Sequence, residues 1–430
     1  MGNKLSKLNF SRKQLVQFLL IVSNSQLVYA FIAIRSVLYD PFLEALGVNN
    51  TQFGVLMGFI GLITTFGNIA FGWVQDRFST RKVLAVNSFV YGILALFVAV
   101  MPQSPFFILT VVFIGFGFTG DALYWASVLK SVRNIAPETK QATAFGIMEF
   151  IRGGWEFITN ALAVAVYTWL GYTIFGMKVA MGINAGLTIL SALTIWFFVP
   201  EENLLQTNVS SEKTRLAFKG FLQVLRMPAV WMTGLAASCV YATFAAVNTY
   251  FVPYLKNVYL LPIAWVSIFG LINGSITRLT AGPVAGFISD YAFKSSAHLM
   301  KLCYTILTVL LSVALLLPKQ ASVFIPAAIV LILVSITCFL IRGVYYSPIG
   351  EMGVPKEMGA AAMSVASFIG YSPSFWAYPI YGAVIDKFPS EKAYSIIFII
   401  LIGLAILGFT LNFFLGKKIL EHRESNKAGV

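Results

Sequence analysis

Apolar runs of 18 or more residues recur along the whole of this 430-residue chain. Each is long enough to cross ~30 Å of hydrocarbon as a helix. No other feature constrains the fold as much. A bilayer offers no water to unpaired backbone groups, so it admits only helices or closed barrels. No alternating barrel pattern is visible, and helices are therefore expected. Composition agrees, with 58% of residues hydrophobic and 11% charged, whereas soluble domains carry about 25% charged residues.

Hydropathy draws twelve spans, at 14–38, 52–74, 83–101, 105–129, 142–168, 179–199, 229–251, 262–288, 300–317, 322–347, 359–384 and 393–416. The expected fold class is thus all-α and polytopic. The expected domains are a six-helix bundle at 1–199, a cytoplasmic linker at 200–227, a second six-helix bundle at 228–416 and a tail at 417–430. The linker carries Pro200, Glu201, Glu202 and the polar run Gln206 to Lys213. Phe218 to Leu225 reads as a short amphipathic helix on the inner surface.

The net charge of +13 is a topology signal. With both termini cytoplasmic, 21 Lys and Arg fall on the inner side. Five fall outside (Lys178, Lys256, Lys319, Lys387, Lys392), and four lie inside spans. That asymmetry sets an N-in, C-in orientation. It leaves no basic patch that calls for nucleic acid. The first span follows Lys4, Lys7, Arg12 and Lys13 without an Ala-x-Ala site, so it is read as an anchor rather than a cleaved signal. Cys239, Cys303 and Cys338 sit in three different spans, which argues against a disulfide framework.

A short pattern appears twice, 214 residues apart. Gly72-Trp-Val-Gln-Asp76-Arg77 closes the second span of the first half. Gly286-Phe-Ile-Ser-Asp290 closes the second span of the other half. Positive charge follows each copy, as Arg77, Arg81 and Lys82 and as Lys294 and Lys301. Pro41-Phe-Leu recurs as Pro253-Tyr-Leu, and Asp121-Ala-Leu-Tyr124-Trp125 aligns with Arg342-Gly-Val-Tyr345-Tyr346. Such duplication belongs mostly to secondary transporters.

On these residues the chain resembles the major facilitator superfamily over essentially its whole length. Gly72, Asp76, Arg77, Arg81 and Lys82 match that superfamily's signature between helices 2 and 3, with Ser79 and Thr80 departing from it. Arg35 followed by Pro41-Phe-Leu, and Arg342-Gly-Val-Tyr-Tyr, resemble the organic-anion and organophosphate branch. The Pro-containing motif of drug antiporters is missing from span 5. The resemblance implies twelve helices in two six-helix domains that rock around a mid-membrane site. It also implies a mechanical role for Gly72, Asp76, Arg77, Arg81, Gly286 and Asp290, as a cytoplasmic latch. Gly72 would let helices approach closely. Asp76 would accept from a helix N-terminus.

Charges inside the bilayer are expensive and are the first functional candidates. Asp121 lies nine residues before Lys130, near which span 4 ends, ~13 Å in from the membrane edge. Glu149, Arg152 and Glu156 share one face of span 5 at i, i+3 and i+7. Arg152 is expected between two carboxylates, with Asp121 as a third nearby. Desolvation and a neighbouring arginine push a carboxylate's affinity for protons in opposite directions, as proton coupling requires. Asp121 and Glu156 are therefore the expected proton sites, and a static ion pair is the bland alternative for Glu149 and Arg152. Arg278 lies ~18 Å into span 8. Arg35, Arg278 and Arg342 present planar donors suited to carboxylate or phosphate. Tyr124, Tyr345, Asn248 and Asn273 are polar candidates along the same path. Gly370, Pro373 and Pro379 are expected to kink span 11.

No Gly-x-x-x-x-Gly-Lys-Ser/Thr loop is present. The two histidines, His298 and His422, fall at expected cytoplasmic positions away from any metal cluster. No cofactor and no enzymatic constellation is expected. The expected activity is secondary active transport of a small anionic or zwitterionic organic solute, by proton symport. The expected carrier is a monomer in a bacterial inner membrane. Facilitated diffusion, anion exchange and a transporter-like solute sensor are the alternatives.

Overall fold

The computed structural model describes residues 11–71, 78–135, 141–201, 223–293, 295–352, 354 and 356–428. All regular structure among them is helical. The main helices are α1 (Arg12–Leu27), α2 (Asn50–Ala70), α3 (Thr80–Val100), α4 (Phe106–Gly117), α5 (Trp125–Ile135), α6 (Gln141–Trp169) and α7 (Ile174–Phe198). They continue as α8 (Pro228–Thr249), α9 (Ile263–Gly270), α10 (Thr277–Ile288), α11 (Ser296–Leu316), α12 (Phe324–Val344), α13 (Lys356–Gly370), α14 (Pro373–Lys387) and α15 (Ser390–Ala428).

Among the described residues, helix runs through every segment drawn from hydropathy. Among the described residues eight helices are long and apolar enough to cross a membrane, or up to ten if each bent pair is one span. α6, which carries Glu149, Arg152 and Glu156, is not one of them. Local sequence explains the starts. Ser11 with Gln14 and Asn49 with Gln52 form capping boxes that satisfy the first free N–H groups of α1 and α2. Pro228 starts α8 where its missing N–H is harmless. Span 11 breaks between Gly370 and Pro373.

The chain packs as two compact units, Met1–Leu205 with Pro262–Leu279, and Gln206–Leu261 with Thr280–Val430. The sequence boundaries put all of 262–288 in the second bundle. In the structure α9 and the start of α10 pack with the first unit, where Leu279 seats against Gly153 of α6.

In the first unit α3 packs along α7, and α2 along α4. Small residues bring the first pair together: a Cβ at Gly92 would stand 2.5 Å from Ile189 Cγ1. Span 1 is bent by 48° between α1 and Ala30–Ser36. A break in hydrocarbon leaves carbonyls to be satisfied by neighbours. Thr188 Oγ1 donates to Leu27 O at 2.7 Å, and Asn184 Nδ2 to Ala30 O at 3.1 Å, both from α7.

In the second unit α8 packs against α13 and α15, and α11 against α15 and α12. Val230, Ile349, Ala362, Val365 and Ala366 form part of its core. Cys239, Cys303 and Cys338 are buried free thiols.

Candidate solute and ion-coupling site

Two elements bring the charges of the first unit together. α6 presents Glu149, Arg152 and Glu156 along one face. A π-helical turn, Leu271–Ile276, leads into α10 and delivers Arg278 to that face. Gly153 makes the approach possible, because a Cβ there would lie 2.8 Å from Leu279 Cγ.

Arg278 is the centre of the cluster. Its Nη1 donates to Glu156 Oε2 at 2.7 Å, and its Nη2 to Glu149 Oε2 at 3.0 Å. Nε also reaches Glu149 Oε2 at 3.3 Å. Arg152 Nη1 donates to the other oxygen of Glu149 at 2.8 Å. The expectation that Arg152 stands between two carboxylates is corrected: Arg278 bridges Glu149 and Glu156, and Arg152 pairs with Glu149. The reason is Trp125 on α5, whose ring lies 4.5 Å from the Arg152 guanidinium and holds it by a cation–π contact.

Gln26, near the end of α1, closes the cluster. Its Nε2 donates to Glu156 Oε2 at 3.4 Å, and its Oε1 accepts from Arg278 Nη1 at 3.4 Å. Sequence reasoning missed Gln26. Its signal was an amide inside an apolar span, three residues before Tyr29. Gln26 and Glu156 are buried, while the Glu149 side chain is 39% exposed. Glu149 is thus the open edge of the cluster.

Asp121 is held elsewhere. It sits on the π-helical turn Phe118–Ala122. Tyr29 donates to its Oδ1 at 2.9 Å, and Thr64 to its Oδ2 at 2.9 Å. Extra turns of this kind occur often at functional positions. The structure therefore separates Asp121 from the arginine–glutamate cluster rather than making it a third member.

Other expected positions are distributed as follows. Tyr124, expected to line the path, is fully buried, and its hydroxyl donates to Asn24. Asn24 also binds Ser88 and Ser191, so this knot ties α1, α3, α7 and the turn before α5. Arg35 is partly buried on the turn Ile34–Ser36 and donates to Ile32 O at 2.6 Å. Asn273 is buried in the π-helical turn that precedes Arg278. Asn248 is half-buried near the end of α8.

In the second unit the Arg342 guanidinium lies 3.6 Å from the ring centroid of Phe244, with Tyr241 at 5.2 Å. Tyr345 stacks on Tyr346 with centroids 4.1 Å apart, and its hydroxyl is 3.2 Å from that of Tyr371. Cation and phenols thus form one polar-aromatic cluster inside this unit.

Of the repeated latch motif, Gly72, Asp76 and Arg77 lie outside the described residues, as does the Asp290 side chain. No described atom comes within 4 Å of where a Cβ on Gly286 would stand. Arg81 Nη2 pairs with Glu201 Oε2 at 2.8 Å, and Lys82 pairs with its other oxygen. The Lys82 hydrogen bond and charge, with Arg81 behind it, hold the Glu201 carboxyl below the usual carboxylate range.

Comparison with known proteins gives the family of the chain and of its fold. The chain is 29% identical to the inner membrane protein YihN of Escherichia coli (strain K12), over 96% of this chain and 98% of that protein. It is 27% identical to the inner membrane protein YqcE of the same organism, over 88% and 89%. Its fold is similar to that of a bacterial homologue of the human lysosomal transporter Spinster. That match has a TM-score of 0.72 at 15% identity, covering 96% of this chain and 99% of the other. The family model of the Major Facilitator Superfamily matches residues 18–378. A match of that extent, on a chain whose described regular structure is all helical, leaves one conclusion: the protein is a multi-pass membrane transporter and belongs to the Major Facilitator Superfamily.

Proposed function

We propose that this transporter moves a small organic anion together with a proton, by alternating access. One observation carries the reading: Arg278 is held by two carboxylates of its own protein, Glu149 and Glu156. A guanidinium is a rigid fork suited to carboxylate or phosphate, so the pair already made is the pair a solute anion would replace.

Charge balance supplies the coupling. Arg152, Arg278, Glu149 and Glu156 sum to zero. An anion that takes Arg278 displaces a glutamate and leaves one uncompensated negative charge. Such a charge at mid-membrane costs about 2.5–3.5 kcal/mol on insertion scales. A proton on the displaced glutamate removes it. Each ligand therefore strengthens the binding of the other. Glu156 suits the proton carrier, since it accepts from one arginine and Gln26, while Glu149 accepts from both arginines. Exchange of Arg278 from glutamate to solute also changes the tie between α6 and α10, which links occupancy to conformation.

Arg35 and Arg342 are further anion contacts in this reading, with Tyr345, Asn248 and Asn273 as polar ones. Twelve helices with both termini inside, a monomeric carrier and an inner-membrane location complete it. Two relatives named as inner membrane proteins support the location.

A thermal-shift screen of purified protein against organic acids, sugar phosphates and amino acids would identify a stabilising compound. Its uptake into proteoliposomes is then measured under an inward proton gradient. The wild type accumulates it, and Glu156→Gln keeps counterflow while losing accumulation. Accumulation that survives in both Glu149→Gln and Glu156→Gln rejects the coupling. Counterflow without accumulation in the wild type identifies an exchanger or a uniporter instead.

A further inference from the structure

Gln26 is buried, and both ends of its amide turn to the arginine–glutamate cluster. An amide carries a donor and an acceptor. Its Oε1 accepts from Arg278 Nη1 at 3.4 Å, and its Nε2 donates to Glu156 Oε2 at 3.4 Å. Arg278 Nη1 donates to the same glutamate oxygen at 2.7 Å. One oxygen atom thus receives donors from two elements, α1 and α10.

The other edge of Arg278 is taken. Nε and Nη2 both go to Glu149 Oε2, and Glu149 Oε1 holds Arg152 Nη1. An anion in the place of the Glu156 carboxylate therefore meets two N–H groups that converge on one point, from Arg278 Nη1 and Gln26 Nε2. It also meets a fixed charge balance. Arg152 and Arg278 bring two positive charges, and Glu149 brings one negative. With Glu156 neutral, a single negative charge closes the sum. Asp121, the other acid near Arg152, is held by Tyr29 and Thr64 and adds no positive charge. A second negative charge on the solute would stand uncompensated inside the membrane, where it is expensive.

We infer that Gln26 is a solute-binding residue, and that with Arg278 it selects a singly charged carboxylate over a doubly charged oxyanion. The inference rests on the replacement of Glu156 by the solute proposed above. A carboxylate oxygen can accept both N–H groups. A phosphate group on a single ester link brings close to two charges and three acceptor oxygens. Two donors and one open charge do not match it. Gln26 also positions its partner: Oε1 takes one N–H of Nη1 and leaves the other aimed at the anion. Leucine in its place removes both effects.

The test uses small anions as probes and needs no transport. Thermal midpoints of purified full-length Glu156→Ala and Glu156→Gln are measured in sodium chloride, sodium formate and sodium sulfate at equal ionic strength. Each rise is taken relative to that of the wild type in the same salt, which removes the general stabilisation by sulfate. Formate is expected to raise both variants above their chloride values, and sulfate is not. Gln26→Leu added to Glu156→Gln is expected to abolish the formate rise. A sulfate rise equal to that of formate overturns the charge selection. An undiminished formate rise with Gln26→Leu overturns the role of Gln26, and no formate rise in either variant overturns both. If Glu156→Ala does not fold, Glu156→Gln, which keeps the shape of the neutral acid, decides alone. The two readings fail separately: loss of proton-driven accumulation in the wild type rejects the coupling, whereas these midpoints report the anion site.

Discussion

Arg278 and Glu156 meet at 2.7 Å although they stand 122 residues apart in the chain. Neither can be understood without the other. An arginine at that depth is expensive alone, and so is a glutamate. Each is tolerated because the fold brings them together with Glu149 and Gln26. The pair is therefore a support of the fold and, in the proposed cycle, the contact a solute must break.

Removing one partner of a buried pair leaves the other charge uncompensated, at about 3–5 kcal/mol. Arg278→Ala should lower the thermal midpoint of purified protein clearly. Adding Glu156→Gln to Arg278→Ala should restore part of the loss, since it removes the stranded charge. A midpoint of Arg278→Ala equal to wild type would show that the pair does not support the folded state.

Gly153 controls how closely α10 approaches α6. In Gly153→Val the new Cβ would stand 2.8 Å from Leu279 Cγ, so the Leu279 side chain or the helix that carries it must shift. Overpacking of this kind costs about 1–3 kcal/mol. It should also lengthen the Arg278 contacts. Leu279→Ala, placed in the same protein, should recover stability. Loss that is not recovered would mean that Leu279 is not what Gly153 makes room for.

The break in span 1 depends on side chains of α7. Thr188→Val removes the donor to Leu27 O and should destabilise by about 1 kcal/mol. Thr188→Ser keeps the hydroxyl and should stay near wild type. Equal thermal midpoints for the Val and Ser variants would exclude the hydrogen bond as the reason for the threonine.

Glu201 titrates below its ordinary range because Lys82 and Arg81 favour its charged form. A depressed folded-state value contributes stability above the unfolded value. That contribution is lost as pH falls through the folded one. The wild type should thus exceed Glu201→Gln in thermal stability at neutral pH, and the difference should close on acidification below the usual carboxylate range. High salt should shrink it too, since the pair is solvent-exposed. A difference that grows on acidification would contradict the assignment.

Part of the site is legible in the residue spacing alone. The i, i+3, i+7 pattern of Glu149, Arg152 and Glu156 puts them on one helix face, and they are on one face. The depth of Asp121 singles it out. The choice of partner is not legible there. Arg152 has glutamates one turn to either side, and spacing alone treats them alike. The ring of Trp125 breaks that tie by holding the guanidinium where it reaches Glu149. Tyr124 fails as a path-lining residue for a similar reason. One turn from a charge, it points instead into the Asn24 knot.

The amino-acid sequence by itself determined that this chain is a helical membrane protein, and it marked the few charges inside its apolar segments. Those conclusions rest on hydropathy, period and sign, which are local properties. Only the tertiary structure decided that Arg278 joins Glu149 and Glu156, that Gln26 completes the group, and that Asp121 is held by two hydroxyls instead of a cation. Those pairings depend on how near two helices come and which rotamers their neighbours allow. Residues more than fifty positions apart make these pairings, and no local pattern records them.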